Sequence, residues 1–280
     1  MELNNIQGIL IYRIKLLRVS YSENLKKVRE NFDPDAIHDL RVAIRRILSF
    51  ISLIDEICRI ELDEPLQKRL KAEIKRFNKL RDIQVQVGIL INFIKKYPEL
   101  LDFLFFLKKK EEKQIKKLRT VITQAGFDLS GEILFYQIKL KDHQCFQNIQ
   151  MDQTVSVVKN ALEDVRTSIQ NITLGDYKSY HKTRLTIKKF RYIVETTEEI
   201  IMSSKEKLKE LQMLQTILGE IQDLTVLLKL FEDFKLNKGT DVSGFLDFVE
   251  NIKQKREKKE REFWDKLSCL EYWDNFLMNI

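Results

Sequence analysis

Two stretches of this 280-residue chain repeat each other, and that repetition limits the fold more than any other feature. His38-Asp39-Leu40-Arg41-Val42-Ala43-Ile44-Arg45-Arg46 is matched by His181-Lys182-Thr183-Arg184-Leu185-Thr186-Ile187-Lys188-Lys189, 143 residues further on. A second pair follows in the same order. Phe77-Asn78-Lys79-Leu80-Arg81-Asp82-Ile83-Gln84-Val85 aligns with Leu218-Gly219-Glu220-Ile221-Gln222-Asp223-Leu224-Thr225-Val226 at a spacing of 141. Two elements repeating in order at nearly one spacing point to a duplicated structural unit.

The unit is helical. Ile14, Leu17, Tyr21, Leu25 and Val28 recur every three or four residues, as do Ile37, Leu40, Ile44, Ile47, Ile51 and Ile54. Only 8 Gly and 3 Pro occur, too few for the turns of a many-stranded protein. Breaks at Asn31–Pro34, before Pro65 and at Pro98 divide the first part into four helices. The stretch Gly126–His143 interrupts the pattern, with room for a short connecting helix. The stripe Val155, Val158, Leu162, Val165 and Ile169 then resumes it. Breaks at Leu174-Gly175-Asp176 and Asn237–Thr240 divide the second part likewise. The expected fold is all-α: a four-helix bundle over 1–125, a linker over 126–149 and a second four-helix bundle over 150–280, arising by internal duplication.

A hydrophobic share of 44% with 32% charged residues is that of a globular chain. The net charge of +7 makes an anionic partner the natural expectation without choosing one. Cys58, Cys145 and Cys269 are far apart and belong to no metal or redox motif, so three ordinary thiols in a reducing compartment are expected. The start of the chain lacks the basic and apolar regions of a secretory signal, and no apolar run reaches membrane-spanning length. A soluble cytoplasmic protein, with no membrane partner, is the expectation.

Function is expected on the repeated helix. Taking His38 as zero on a wheel of about 100° per residue, Arg41 and Arg45 fall within about 60° of it. His181, Arg184, Lys188 and Arg191 form the same stripe in the second copy. The apolar residues of the helix centre about 110° away, so the stripe borders the core and can line a groove. One such stripe alone would be read as a solvated face. Two in the same phase, each crowding like charges, point to a shared anion. Arginine grips phosphate through two parallel hydrogen bonds and lysine adds mobile charge, so a long, repeating anion suits a groove lined from both copies.

These residues resemble the CHAD domain, the conserved histidine α-helical domain. Pro34–Arg46 is similar to its first signature helix and Tyr180–Glu195 to its second. Leu214–Asp223 resembles its Leu-Gly-x-x-x-Asp element, and Leu80-Arg81-Asp82-Ile83 the Arg-Asp counterpart. The resemblance implies two four-helix bundles related by a pseudo-twofold axis. It also implies non-catalytic binding of inorganic polyphosphate in a basic central channel, and so an association with polyphosphate granules if that ligand is right. His38, Arg41, Arg45, His181, Arg184, Lys188 and Arg191 are the expected ligands. Arg13, Arg18, Arg46, Lys75, Arg76, Lys79 and Lys189 form a second tier, in which Lys75 and Lys79 point away from the apolar face. Two departures stand out. Asn78 occupies a place where the family tends to have Gly, and Thr216-Ile217 replaces Lys75-Arg76 in the second copy, so unequal halves are expected. The triphosphate-tunnel domain often fused to the family is not expected, since no Glu-x-Glu-x-Lys strand opens the sequence.

Other chemistry finds less support. Gly126 and Gly131 precede Glu132-Ile133 instead of Lys-Ser/Thr, so they form no phosphate loop. No His-Glu-x-x-His or nucleophile elbow occurs, and no cofactor or enzyme activity is expected. A metal held by His38 and His181, or a phosphoacceptor histidine, is the sharper rival; Arg41, Arg45, Arg184 and Lys188 would repel a cation. Nucleic acid is the less favoured polyanion, because few aromatic residues lie among the basic ones. Arg81 falls among apolar positions and is expected to pair with Asp82 or Asp223. The mixed runs Lys108–Arg119 and Lys253–Arg261 read as solvated faces, and His143 is given no role.

Overall fold

The computed structural model describes residues 5–32, 34–123, 127–238 and 245–280, and every regular element among them is helical. Four long helices come first: α1 (Ile6–Asn31), α2 (Pro34–Cys58), α3 (Glu64–Ile94) and α4 (Leu101–Ile122), the last entered through a short 3-10 turn at Pro98–Leu100. The linker holds α5 (Ser130–Asp142) and the single turn α6 (Gln144–Gln147). Four more long helices follow, α7 (Met151–Gln170), α8 (Tyr177–Ile201), α9 (Lys205–Lys238) and α10 (Leu246–Asp265), then a terminal α11 (Cys269–Met278). Of the expected breaks, Asp33, Gly126 and residues 239–240 lie outside the described residues. The break at Leu174-Gly175-Asp176 is a sharp turn. Gly175 takes a φ of 81°, which a side chain would resist, and Asp176 then caps α8 by accepting a hydrogen bond from the Lys178 amide at 3.1 Å.

The apolar residues do not divide at the linker. One core joins α1, α2, the first half of α3, the end of α4, α5, α6, α7, α8, the first half of α9, Phe263 near the end of α10, and α11. A smaller core joins the second halves of α3 and α9 to α4 and α10, through Phe93, Phe103, Phe231 and Phe248. In α3 the first core ends at Leu80 and the second begins at Val87; in α9 the change falls between Ile221 and Leu224. The repeated Arg81-Asp82 and Gln222-Asp223 pairs therefore lie at the seam between the cores.

The linker is tied down more firmly than its weak helical period suggests. Tyr21 on α1, wholly buried, donates from its hydroxyl to Glu73 on α3 at 3.1 Å and accepts from the Leu129 amide at 3.2 Å. Cys58, at the end of α2, is joined to Cys145 on α6 as a disulfide, with Cα atoms 5.7 Å apart. This corrects the expectation of three ordinary thiols; Cys269 alone is free. No helix among the described residues is long and apolar enough to cross a membrane.

Glu73 is buried, and burial pushes its carboxyl up to about 8. The folded state then binds one proton more than the unfolded state between about pH 4.5 and 8, so stability falls as pH rises through that window. Glu73→Gln keeps an acceptor for Tyr21 without the charge. Its gain over wild type, about 1–2 kcal/mol at pH 8, shrinks toward zero near pH 4.5 in urea denaturation series.

Candidate functional site

The two repeated helices meet. α2 packs directly against α8, and the cleft between them has a volume of about 430 Å³. Arg45, Ser49, Ser52 and Glu56 line it from α2, and Lys188, Lys189 and Tyr192 from α8. Deeper along the same pair of helices, toward the core seam, lie Arg41 and Arg184. Arg41, Arg45, Arg184 and Lys188 are near enough to repel one another, and among the described residues none of the four makes a salt bridge. Both copies thus deliver their stripe to one place.

Burial sharpens the repulsion. Arg41 is only 6% exposed and Lys188 only 7%. Burial first, and then the charges of Arg45, Arg184 and Arg41, push the Lys188 ammonium down to about 6. Burial and Arg45 also depress the Arg41 guanidinium, which stays charged at any physiological pH. The histidines stand at the start of the stripes. Burial and the Arg81 and Arg41 charges lower His38; burial and Arg184 lower His181, against a hydrogen bond with Gln222. Both imidazoles therefore favour the neutral form at pH 7.

Two carboxylates face the cluster, and the sequence reading gave them no part in it. Asp82 and Asp223 are desolvated, which raises both. Arg41, Arg45 and Arg184 draw Asp82 back down, Arg184 draws Asp223, and Asp223 still rests at about 6. Arg81 lowers both, but no ion pair at contact distance joins it to either. Their alignment at a spacing of 141 residues and their place in the repeated seam element were the available signals.

The remaining candidates sort by partner. Arg191 is 7% exposed and already engaged: it binds Glu195 at 2.8 Å, donates to Gln215 at 3.0 Å, and stacks on Tyr192. Arg46 reaches Glu195 at 3.4 Å, Arg13 reaches Glu199 at 3.3 Å, and Lys189 reaches Glu56 at 2.9 Å. Arg13, Arg46 and Lys189 fasten α1 and α2 to α8, and Arg191 ties α8 to α9. Arg18 lies elsewhere, in a groove between α1 and α5 with Lys15 and Lys141. Lys75, Arg76 and Lys79 are exposed on α3. Among the described residues no group of three or more His, Cys, Asp or Glu is arranged to hold a metal ion.

Lys188 provides a check on this geometry. Its depressed basicity means that the unfolded state binds one proton more between about pH 6 and 10.5, so the burial penalty is largest in the acid half of that window. Lys188→Met is expected to raise stability by about 1–3 kcal/mol at pH 7. The advantage should fade as pH approaches 10.5 in thermal melts.

The fold has known counterparts. The structure superposes on the CHAD domain of the plant Ricinus communis with a TM-score of 0.67 at 16% identity, covering 98% of this chain and 92% of the other. It superposes on PptA from Streptomyces chartreusis with a TM-score of 0.66 at 12% identity, covering 96% and 99%. Among curated proteins no sequence match is found. The CHAD domain family model matches residues 14–232, which include both stripes and both seam elements. With that match the family expected from the signature helices is shown, and this chain belongs to the CHAD domain family.

Proposed function

We propose that this chain binds inorganic polyphosphate, without catalysis, in the basic cleft between α2 and α8. The observation that carries the reading is the convergence of Arg41, Arg45, Arg184 and Lys188 from the two copies, partly buried and free of salt bridges among the described residues. Four cations held together against their repulsion and at a desolvation cost are compensated by a multivalent anion. A linear chain of phosphates supplies one charge after another along the groove, as a single phosphate does not. Membership of the CHAD family supports the same ligand.

Nucleic acid shares the charge but fits less well. Tyr192 is the one aromatic residue lining the cleft, and it is buried beneath Arg191, which leaves no platform for stacking bases. The histidines act here as proton-accepting neighbours that become hydrogen-bond donors when the anion is bound.

Titration with polyphosphate of defined length at several salt concentrations tests the reading. Arg41→Glu combined with Arg184→Glu should weaken binding by at least about a hundredfold and flatten its salt dependence. Unchanged affinity in that variant would sink the proposal. Nucleic acid at physiological salt should fail to displace the bound chain.

Binding should also take up protons. Lys188, His38 and His181 are depressed in the free protein, and a bound polyanion raises all three. Affinity therefore falls as pH rises from about 6 to 8. Calorimetry at pH 7 in two buffers of different ionisation enthalpy reads the uptake directly.

A further inference from the structure

We infer that the two halves of the cleft are chemically unequal, and that the edge of Arg184 facing Gly219 is the subsite where a phosphoryl oxygen is gripped; this rests on the polyphosphate reading above. Asn78 and Gly219 hold equivalent places in the repeated seam element, just as Arg41 and Arg184 do in the repeated stripe. In the first half, Arg41 donates from both Nε and Nη2 to the Asn78 side-chain oxygen, at 3.1 and 2.8 Å. A neutral acceptor of the protein's own therefore occupies that edge of the guanidinium.

In the second half the acceptor is missing. A Cβ placed on Gly219 would stand 3.4 Å from Nε of Arg184 and 3.5 Å from its Nη2. The same edge of the guanidinium thus faces the position from which the Asn78 side chain acts in the first half. Nε of Arg184 is buried and has no hydrogen-bond partner. A buried donor without an acceptor is costly, and a charged one more so. The Nε–Nη2 edge is also suited to bidentate contact with two oxygens of one phosphate.

The Asn78 oxygen is then an internal stand-in for the ligand. When polyphosphate binds, a phosphoryl oxygen takes the corresponding place beside Gly219, and Arg184 is the clamp. Arg41 keeps its charge in the cleft but holds a fixed orientation, with only its remaining Nη protons to offer. Gly at position 219 leaves the space open; Asn at position 78 closes it.

Exchanging the two residues tests this. Gly219→Asn gives Arg184 its own acceptor and should weaken binding of defined-length polyphosphate about tenfold or more. Gly219→Ala sets a methyl group against the same edge without supplying an acceptor, so it should also weaken binding, by about threefold or more. The double variant with Asn78→Gly and Gly219→Asn moves the open edge to Arg41 and should recover most of the loss. Side-chain ¹⁵N NMR adds a structural readout: the Arg184 Nε–H should become protected from exchange on adding polyphosphate, while that of Arg41 is protected beforehand. If Gly219→Asn and Gly219→Ala both bind as wild type does, the subsite is overturned while the proposed function stands. If wild type does not bind polyphosphate at all, the proposed function falls and the subsite with it.

Discussion

Repulsion among four neighbouring cations is the constraint around which this molecule is arranged. Arg41, Arg45, Arg184 and Lys188 border the larger core, where water cannot fully screen them. The molecule neutralises its other cations with care. Glu195 serves both Arg46 and Arg191, Glu199 serves Arg13, and Glu56 serves Lys189. Those pairs surround the cluster and hold α1, α2 and α8 in place against its internal repulsion. The central four receive only the more distant fields of Asp82 and Asp223. The cluster differs from these neighbours in being both partly buried and without a salt bridge among the described residues.

The seam between the two cores makes such a point affordable. α3 and α9, of 31 and 34 residues, begin in one core and end in the other. Where each crosses, its apolar pattern pauses at Arg81-Asp82 or Gln222-Asp223, and polar groups can lie close to the helix axis without displacing apolar packing. The smaller core then clamps the far ends of α3 and α9 through its aromatic rings. A hydrophobic lock on one side of the seam and a larger core on the other keep the seam residues from moving apart. Asn78 and Gly219 lie within about one helical turn of that crossing, which is why they can decide how the arginines are held.

The centre of the site was legible in the sequence because it depends only on azimuth. Helical period puts Arg41, Arg45, Arg184 and Lys188 beside the apolar stripe whatever the neighbours are. The outer tier was not legible, because ion pairs depend on which helix stands opposite. Arg191 and Glu195 stand four residues apart on α8, a local pairing the sequence does offer, but nothing local to Arg46 announces Glu195 as its partner across α2 and α8. The division of the cores was not legible for a related reason. Apolar faces on α3 and α9 pair with each other and with α4 and α10 across the midpoint of the chain. In α5, the exposed Leu134, Phe135 and Ile138 break the contrast with the buried Ile133 and Tyr136, so the amphipathic signal was weak. The Cys58–Cys145 disulfide joins residues 87 apart, a separation that carries no motif.

The sequence repeat supplies matching cations to one cleft, and the repeated segments need not stay symmetrical. Two copies deliver each cation twice, at related positions around one cleft. A symmetrical ligand would then reward identical halves. A linear phosphate chain does not, since it passes the two halves in sequence and each meets a different part of it. Selection for binding therefore acts on the sum of the two halves, and each is free to take a separate task. The first copy spends the hydrogen bonds of Arg41 on Asn78 and retains the richer charge of Lys75 and Arg76 on α3. The second leaves Arg184 without an acceptor and supplies the readily titrated Lys188. Under the proposed function, a fixed field from one copy and a responsive pair of donors from the other would attract a polyanion and couple its binding to protonation.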